Sequence, residues 1–407
     1  MIRRQIAVVG AGMAAARLTA QLFARDPGAA VTLFGDEAYA PYNRALLADV
    51  LTGRLPAGTI GLPSSAAQVR TGVEVVAVDT AARTLESADG SIAGYDTLVF
   101  ATGSNPVLPP IRNLHCTSNT GEGGELKQGV HAFRTLADCA RLAAAVPGAR
   151  RAVVIGGGIL GVSAARALAA LGLPVEIVHQ APYLMERHLD EDGGAALHRA
   201  LDRLGVAVYA ENRAKSLHGT DRAEGVTLAN GYRLDADLVV LACGARPRVG
   251  LARAAGLEVR TGIVVDDGMA ASAPDVYAIG DCTEHRGVVH GLSGPAWEQA
   301  DVLAARLCGA EAAYTGSRVG ARLTAGPVEI AAFGDVDPVA GGAHDVIRLA
   351  DPTRGSYKKL VLRGDRLVGA ILVGDLATVG ALTHAYERDE PVPADPLHLL
   401  IPQGAPQ

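Results

Sequence analysis

An α/β chain built on two Rossmann-like dinucleotide-binding units is what the sequence predicts, and three observations lead there. The pattern G-x-G-x-x-G/A occurs twice, as Gly10, Gly12 and Ala15 and again as Gly156, Gly158 and Gly161. Each copy lies between a continuous apolar run, as a buried parallel strand requires, and a stretch of helical character. Three further runs, "YDTLVFATGSNP", "ADLVVLACGARP" and "APDVYAIGDC", read as buried strands ending in small-residue turns.

The first unit is "QIAVVGAGMAAARLTAQLFARDPGAAVTLFGDE". Gln5 to Val9 reads as the strand. Gly10 turns the chain, Gly12 lets backbone approach a pyrophosphate, and the small Ala15 lets the helix pack close. Met13 and Ala14 open that helix, whose N-terminal N–H groups and dipole favour phosphate. A second strand, Ala30 to Phe34, ends at Asp36 and Glu37, where a carboxylate can hold ribose hydroxyls. The second unit, "RRAVVIGGGILGVSAARALAALGLPVEIVHQ", repeats this arrangement. Its strand is Ala152 to Ile155, and Ile159 and Leu160 open its helix. Its next strand, Val175 to Val178, ends in His179 and Gln180 with no carboxylate at the tip. Arg187 is nearby in sequence, and NADH against NADPH stays open. Two fingerprints call for two dinucleotides, a tightly bound FAD and an exchangeable nicotinamide.

The strand ends add candidates: Ala101, Thr102 and Gly103 after the first unit, Gly244 after the second, and Gly280 with Asp281 after the third run. Asp281 is placed to bond a polyol such as a ribityl chain; a helix N-cap is the structural alternative.

The totals narrow the classes. A length of 407 residues suggests about two or three domains. The net charge of -6 argues against a nucleic-acid partner. The basic, apolar N-terminus reads as strand, turn and helix rather than a leader, no run is long enough to span a membrane, and a cytoplasmic protein is expected. Cys116, Cys139, Cys243, Cys282 and Cys308 form no C-x-x-C pair, so neither a disulfide framework nor a redox dithiol is expected.

The chain resembles the pyridine nucleotide–disulfide reductase superfamily in its branch without the disulfide. "PYNRALLADVLTG", "HAFRTLADCARL", "YLMERHLDEDGG", "CTEHRG", "GLSGPAWEQADVLAARL" and "YKKLVLRGDRLVGAILVGD" are most similar to the FAD- and NAD(P)H-binding portion of assimilatory nitrite reductase large subunits. Ferredoxin and rubredoxin reductases and apoptosis-inducing factor are related. The resemblance implies two dinucleotide domains of the three-layer ββα type and a C-terminal α+β domain of the interface type. It assigns 1–112 and 246–315 to FAD, 113–245 to NAD(P) and 316–407 to the C-terminal domain. It also implies that Arg44 and Arg134 contact FAD, that the peptide near Val75 meets the adenine, and that Asp281 binds the ribityl chain. Pro295, Ala296 and Trp297 would start a helix facing the flavin pyrimidine, and the nicotinamide would stack on the flavin.

Departures qualify the resemblance. The chain has too few and too scattered cysteines for an iron–sulfur cluster, so it is expected to feed a separate protein rather than reduce nitrite itself. Relatives place a cysteine, or a lysine paired with a helical glutamate, where this chain has Ala48, Asp49 and Ser163. With both members of that pair absent, no lone buried charge is expected there. The polar loop 112–129 reads either as a surface insertion or as a lid or docking loop. Cys282, His285 and His290 lack a fourth ligand for zinc, and no metal is expected. Lys358 and Lys359 read as a docking site for an acidic carrier or as a solvated strand edge. Trp297 either shields the flavin or fills a junction.

The expected activity is therefore that of an NAD(P)H-dependent FAD oxidoreductase. Its acceptor would be a ferredoxin, a rubredoxin-like carrier, or a nitrite reductase or oxygenase component. A small organic acceptor at the flavin is the alternative. A slowly turning FAD- and NAD(H)-binding sensor is a third, kept open by Ser163.

Overall fold

The computed structural model describes residues 4–63, 67–116, 125–318, 320–323, 326, 328–338 and 342–401. The chain divides into two units. One consists of 1–46, 55–105 and 245–319; the other of 47–54, 106–244 and 320–407.

The first unit centres on a five-stranded sheet in the order Val276–Ala278, Thr97–Phe100, Gln5–Val9, Ala30–Gly35, Gln68–Thr71. All four pairings are parallel. Strands Gln5–Val9 and Thr97–Phe100 are buried almost throughout, which explains why they read as unbroken apolar runs rather than alternating ones. Helix Met13–Arg25 packs through small side chains, with Ala14, Ala15 and Ala16 buried. A three-stranded antiparallel sheet, Val75–Asp79, Thr84–Ser87 and Ile92–Gly94, completes the layers.

The second unit repeats the scheme. Its parallel sheet runs Val206–Tyr209, Val175–Val178, Ala152–Ile155, Leu238–Leu241, Val130–Ala132. Helix Ile159–Ala170 is buried on nearly every side and stops where Gly172 adopts a left-handed φ of 87°. An antiparallel sheet of Ala214–His218, Gly225–Leu228 and Arg233–Asp235 again accompanies it.

The same unit contains a five-stranded antiparallel sheet in the order Gly320–Leu323, Ile330–Gly334, Arg366–Val373, Ser356–Arg363, Asp345–Asp351. The turn at Gly364 and Asp365 lies where the sequence placed it. Lys358 and Lys359 overturn both readings made of them. They are 3% and 1% exposed, on a strand with a neighbour on each side. Adjacent strand residues face opposite ways, and each lysine meets its own aspartate. Lys358 Nζ donates to Asp375, at 2.7 Å, and to the Leu400 carbonyl. Lys359 Nζ donates to Asp190 at 2.7 Å. Both faces of the sheet are covered, so a charge pattern that looks like an edge lies inside. No helix among the described residues is long and apolar enough to cross a membrane.

Candidate functional site

The two glycine turns separate what the fold needs from what a ligand needs. Gly10 has φ 114°, and a Cβ there would stand 2.1 Å from the Ala101 carbonyl oxygen. Gly156 repeats this with φ 110° and 2.2 Å to the Ala242 carbonyl oxygen. A Cβ on Gly161 would lie 1.9 Å from the Gly156 carbonyl oxygen, so the helix could not approach its strand with any larger residue. Gly12 and Gly158 differ. Both have extended backbone, both are helix N-caps without a side-chain cap, and a Cβ on either would meet nothing within 4 Å. Nothing in the protein demands glycine there. The open space lies beside uncapped helix N–H groups, which suits the pyrophosphate of a dinucleotide in each unit.

In the first unit, Gly280 and Asp281 follow strand Val276–Ala278 as a single turn of 3-10 helix. A Cβ on Gly280 would be 3.0 Å from Ala14 Cβ and 3.9 Å from Ala296 Cβ. Two helix starts therefore converge on this turn: Met13–Arg25, and Ser293–Leu307, which carries Pro295, Ala296 and Trp297. Arg17 holds the helices together through a two-pronged bond to Asp301 at 2.7 and 2.8 Å. Gln299 accepts from the Gly280 N–H at 2.7 Å, and Asp281 accepts from the Ser104 hydroxyl at 2.8 Å. Trp297 is 37% exposed.

The tip of strand Ala30–Gly35 is a polar network. Asp36 pairs with Arg248 at 2.6 Å, and Arg248 also donates to Asn105. The Thr102 hydroxyl donates to the Arg248 carbonyl, and Arg248 N–H to the Gly103 carbonyl, which ties Ala101–Gly103 to this tip. Glu37 accepts from the Tyr42 hydroxyl at 2.6 Å and pairs with Arg44. Gly72 N–H donates to the Glu37 carbonyl, which brings the approach to buried Val75 alongside. Arg134 belongs to the other unit, where its N–H donates to Asp138.

In the second unit Gly244 follows strand Leu238–Leu241 with φ 103°. The missing carboxylate at the tip of Val175–Val178 arrives from further along the chain. His179 Nδ1 accepts from the Gly157 N–H at 3.1 Å, and its Nε2 lies 3.0 Å from Glu186 Oε2. Sequence reading missed this pair because Glu186 lies beyond a loop; the only clue was a histidine at the tip position.

Near Ala48 and Ser163 lie two buried charged side chains, Asp49 and Arg166. Asp49 is buried and paired with Arg54. Arg166, one turn beyond Ser163 on the same helix, is 7% exposed and donates to the Val328 carbonyl at 2.7 Å. Burial pulls its pKa down, and the negative charge of Asp49 opposes that. Asp49 lies on the short helix Leu47–Leu51 and Arg166 on the helix Ile159–Ala170.

All five cysteines are free. Burial pushes Cys139 and Cys243 up to about 11, with Asp138 adding to the effect on Cys139. Cys282 is fully buried against the Phe100 and Ile279 carbonyls, and His285 bonds Asp267 at 2.8 Å. Among the described residues no group of three or more His, Cys, Asp or Glu could hold a metal. Of the loop 112–129, residues 117–124 lie outside the described residues. Its ends are joined by Cys116 N–H to the Glu125 carbonyl.

Comparison with known proteins agrees with this geometry. The family model "Pyridine nucleotide-disulphide oxidoreductase" matches residues 4–302, and "Rubredoxin NAD+ reductase C-terminal domain" matches 321–389. The NAD(P)H nitrite reductase of Bacillus subtilis (strain 168) is 39% identical over 398 residues, covering 96% of this chain and 48% of that protein. The chain spans about half the length of the nitrite reductases it matches. The anthranilate 1,2-dioxygenase system ferredoxin–NAD(+) reductase component of Burkholderia cepacia is 32% identical over 396 residues, 92% of each chain. The covalent putidaredoxin reductase–putidaredoxin complex matches with a TM-score of 0.84 at 25% identity, over 97% of this chain and 95% of that one. Family members use FAD and NAD(P)H. The α/β fold with two dinucleotide turns, the family match over most of the chain and the relatives of full coverage agree: the chain belongs to the pyridine nucleotide–disulphide oxidoreductase family.

Proposed function

We propose that the chain is an NAD(P)H-dependent FAD oxidoreductase that passes electrons to a separate redox protein, such as a ferredoxin, a rubredoxin-like carrier, or a nitrite reductase or oxygenase component. The observation that carries this reading is the doubled cradle, Gly12 and Gly158, each open where a side chain would stand and each capping a helix that has no cap of its own. On the division taken from the resemblance, 1–112 and 246–315 hold FAD, 113–245 holds the nicotinamide nucleotide, and 316–407 forms the interface-type domain.

FAD bound in the first unit would supply hydride acceptance from reduced nicotinamide, as two electrons and a proton, and release of the electrons to an acceptor. The chain's own residues bind and orient. Gly10, Gly12, Met13 and Ala14 offer backbone N–H groups to one pyrophosphate, and Gly156, Gly158, Ile159, Leu160 and Gly161 to the other. Asp36, Glu37, Arg44 and Val75 meet the adenosine side of FAD, with Ala101, Thr102 and Gly103 beside the pyrophosphate. Gly280 lets Asp281 approach the ribityl hydroxyls, and the helix start at Pro295, Ala296 and Trp297 supplies positive dipole where reduced flavin gathers negative charge. Arg134 and Gly244 complete the proposed contacts. Cys139 and Cys243, pushed up to about 11 by burial, stay protonated at neutral pH. The names of the relatives support a protein acceptor: a dioxygenase reductase component that this chain matches over 92% of each chain, and a reductase in covalent complex with putidaredoxin.

The test is anaerobic rapid mixing of the FAD-loaded protein with NADH and then NADPH, followed by a one-electron carrier protein. Bleaching of the flavin band by a nucleotide and its return on adding the carrier are expected. Failure of both nucleotides to bleach bound FAD would sink the reductase reading.

A further inference from the structure

We propose that Glu186, held in place by His179, makes the second unit select NADH over NADPH; the inference rests on the reading of that unit as the nicotinamide-nucleotide site. In Rossmann-like units the residue at the tip of the second strand decides this choice. A carboxylate there accepts bonds from the ribose 2′-hydroxyl, whereas an arginine accommodates a 2′-phosphate. Here the tip residues are His179 and Gln180. The histidine is buried, and its ring lies against the glycine turn. A Cβ on Gly157 would be 2.8 Å from His179 Cγ and 2.3 Å from Leu184 Cδ2. The middle glycine is therefore demanded by this packing and not by the phosphate.

Both polar groups of Gly157 are taken by the same segment. Its N–H donates to His179 Nδ1, and its carbonyl accepts from Met185 N–H at 2.9 Å. Because Nδ1 accepts, the ring proton sits on Nε2, which donates to Glu186 Oε2 at 3.0 Å. The glycine turn, the imidazole and residues 184–186 form one hydrogen-bonded piece, and its outer end is a carboxylate with a partly exposed side chain. That carboxylate stands in for the absent strand-tip acid: it accepts a ribose hydroxyl and repels a phosphate. His179 is a positioning residue and Glu186 the selecting one. Arg187, next in sequence and exposed, is the competing cation in this segment, and it would act in the opposite sense.

The test uses calorimetric binding of the oxidised nucleotides, NAD+ and NADP+, to the FAD-loaded protein, so that no turnover contributes. NAD+ is expected to bind about tenfold tighter or more. Glu186→Gln should collapse that ratio chiefly by tightening NADP+, Glu186→Asp should retain part of it, and Arg187→Ala should leave or widen it. His179→Ala should lower the ratio in the same direction as Glu186→Gln; if that variant fails to fold, the parent ratio and Glu186→Gln still decide. Equal or tighter NADP+ binding by the parent protein, or a ratio unmoved by Glu186→Gln, overturns the proposal and leaves the nicotinamide site intact. Failure of both nucleotides to bind overturns the site reading as well.

Discussion

Single glycines in these turns have different jobs, and substitution should separate them. Gly10→Ala puts a methyl 2.1 Å from a carbonyl oxygen at a left-handed φ, a loss of roughly 2–4 kcal/mol. Gly12→Ala meets open space on extended backbone, so the apoprotein should lose less than about 1 kcal/mol while releasing FAD on desalting. Thermal melts of the apoproteins and flavin absorbance after gel filtration read the two effects apart; FAD retained by Gly12→Ala would contradict the cradle. The thiols give a second residue-level expectation. With Cys139 and Cys243 near 11, their thiolate fraction at pH 7 is roughly one part in ten thousand. Iodoacetamide at neutral pH should leave both unmodified by mass spectrometry, and the rate of flavin reduction by NADH unchanged.

At the level of elements, the contact between helix Glu191–Asp202 and strand Ser356–Arg363 depends on Asp190. This N-cap accepts from the Gly193 N–H at 2.9 Å, from the Tyr357 hydroxyl at 2.8 Å and from Lys359 Nζ at 2.7 Å. Burial works to raise its pKa, but those donors, Lys359 first, bring it below the ordinary carboxylate value. A depressed folded pKa gives stability that is complete above the unfolded value, about 4, and lost as pH falls through the folded one. Lys359→Met leaves a buried carboxylate without its cation and should cost about 3 kcal/mol in urea denaturation at neutral pH. The same variant should begin its acid unfolding at higher pH than the parent. An unchanged acid midpoint would mean that Asp190 is not held by this lysine. On the opposite face Asp375 follows the same logic, brought low by Lys358 and the Ala377 N–H against its own burial.

For the molecule as a whole, the contact pattern groups residues 320–407 with 106–244. The Asp190 and Tyr357 bond crosses between those segments, and a Cβ on Gly193 would lie 3.4 Å from Ile371 Cγ2. A chain truncated after Arg318 should therefore do more than lose a docking domain. It exposes the face of helix Glu191–Asp202 and an unpaired Asp190, and should melt well below the full chain and bind NAD+ weakly. A truncated protein with unchanged melting and NAD+ affinity would show that the last segment is an independent appendage.

Sequence alone determined the two dinucleotide turns, the parallel strands around them and the hairpin at Gly364. These rest on local rules: where glycine must stand, how a strand buried on both faces reads, and which residues turn a chain. Gly280 with Asp281 was legible for the same reason, as a glycine and an acid at a strand end. Only the tertiary structure decided matters set by neighbours distant in sequence. Lys358 and Lys359 look like an exposed pair, yet each is buried because an aspartate from another segment meets it. Arg166 is buried, and the negative charge of Asp49, distant in sequence, works against the effect of that burial. Glu186 reaches the strand-tip position through His179, over a loop no spacing rule anticipates. The difference is physical: backbone conformation is dictated by nearby residues, whereas a buried charge is tolerated or not according to what the fold places against it.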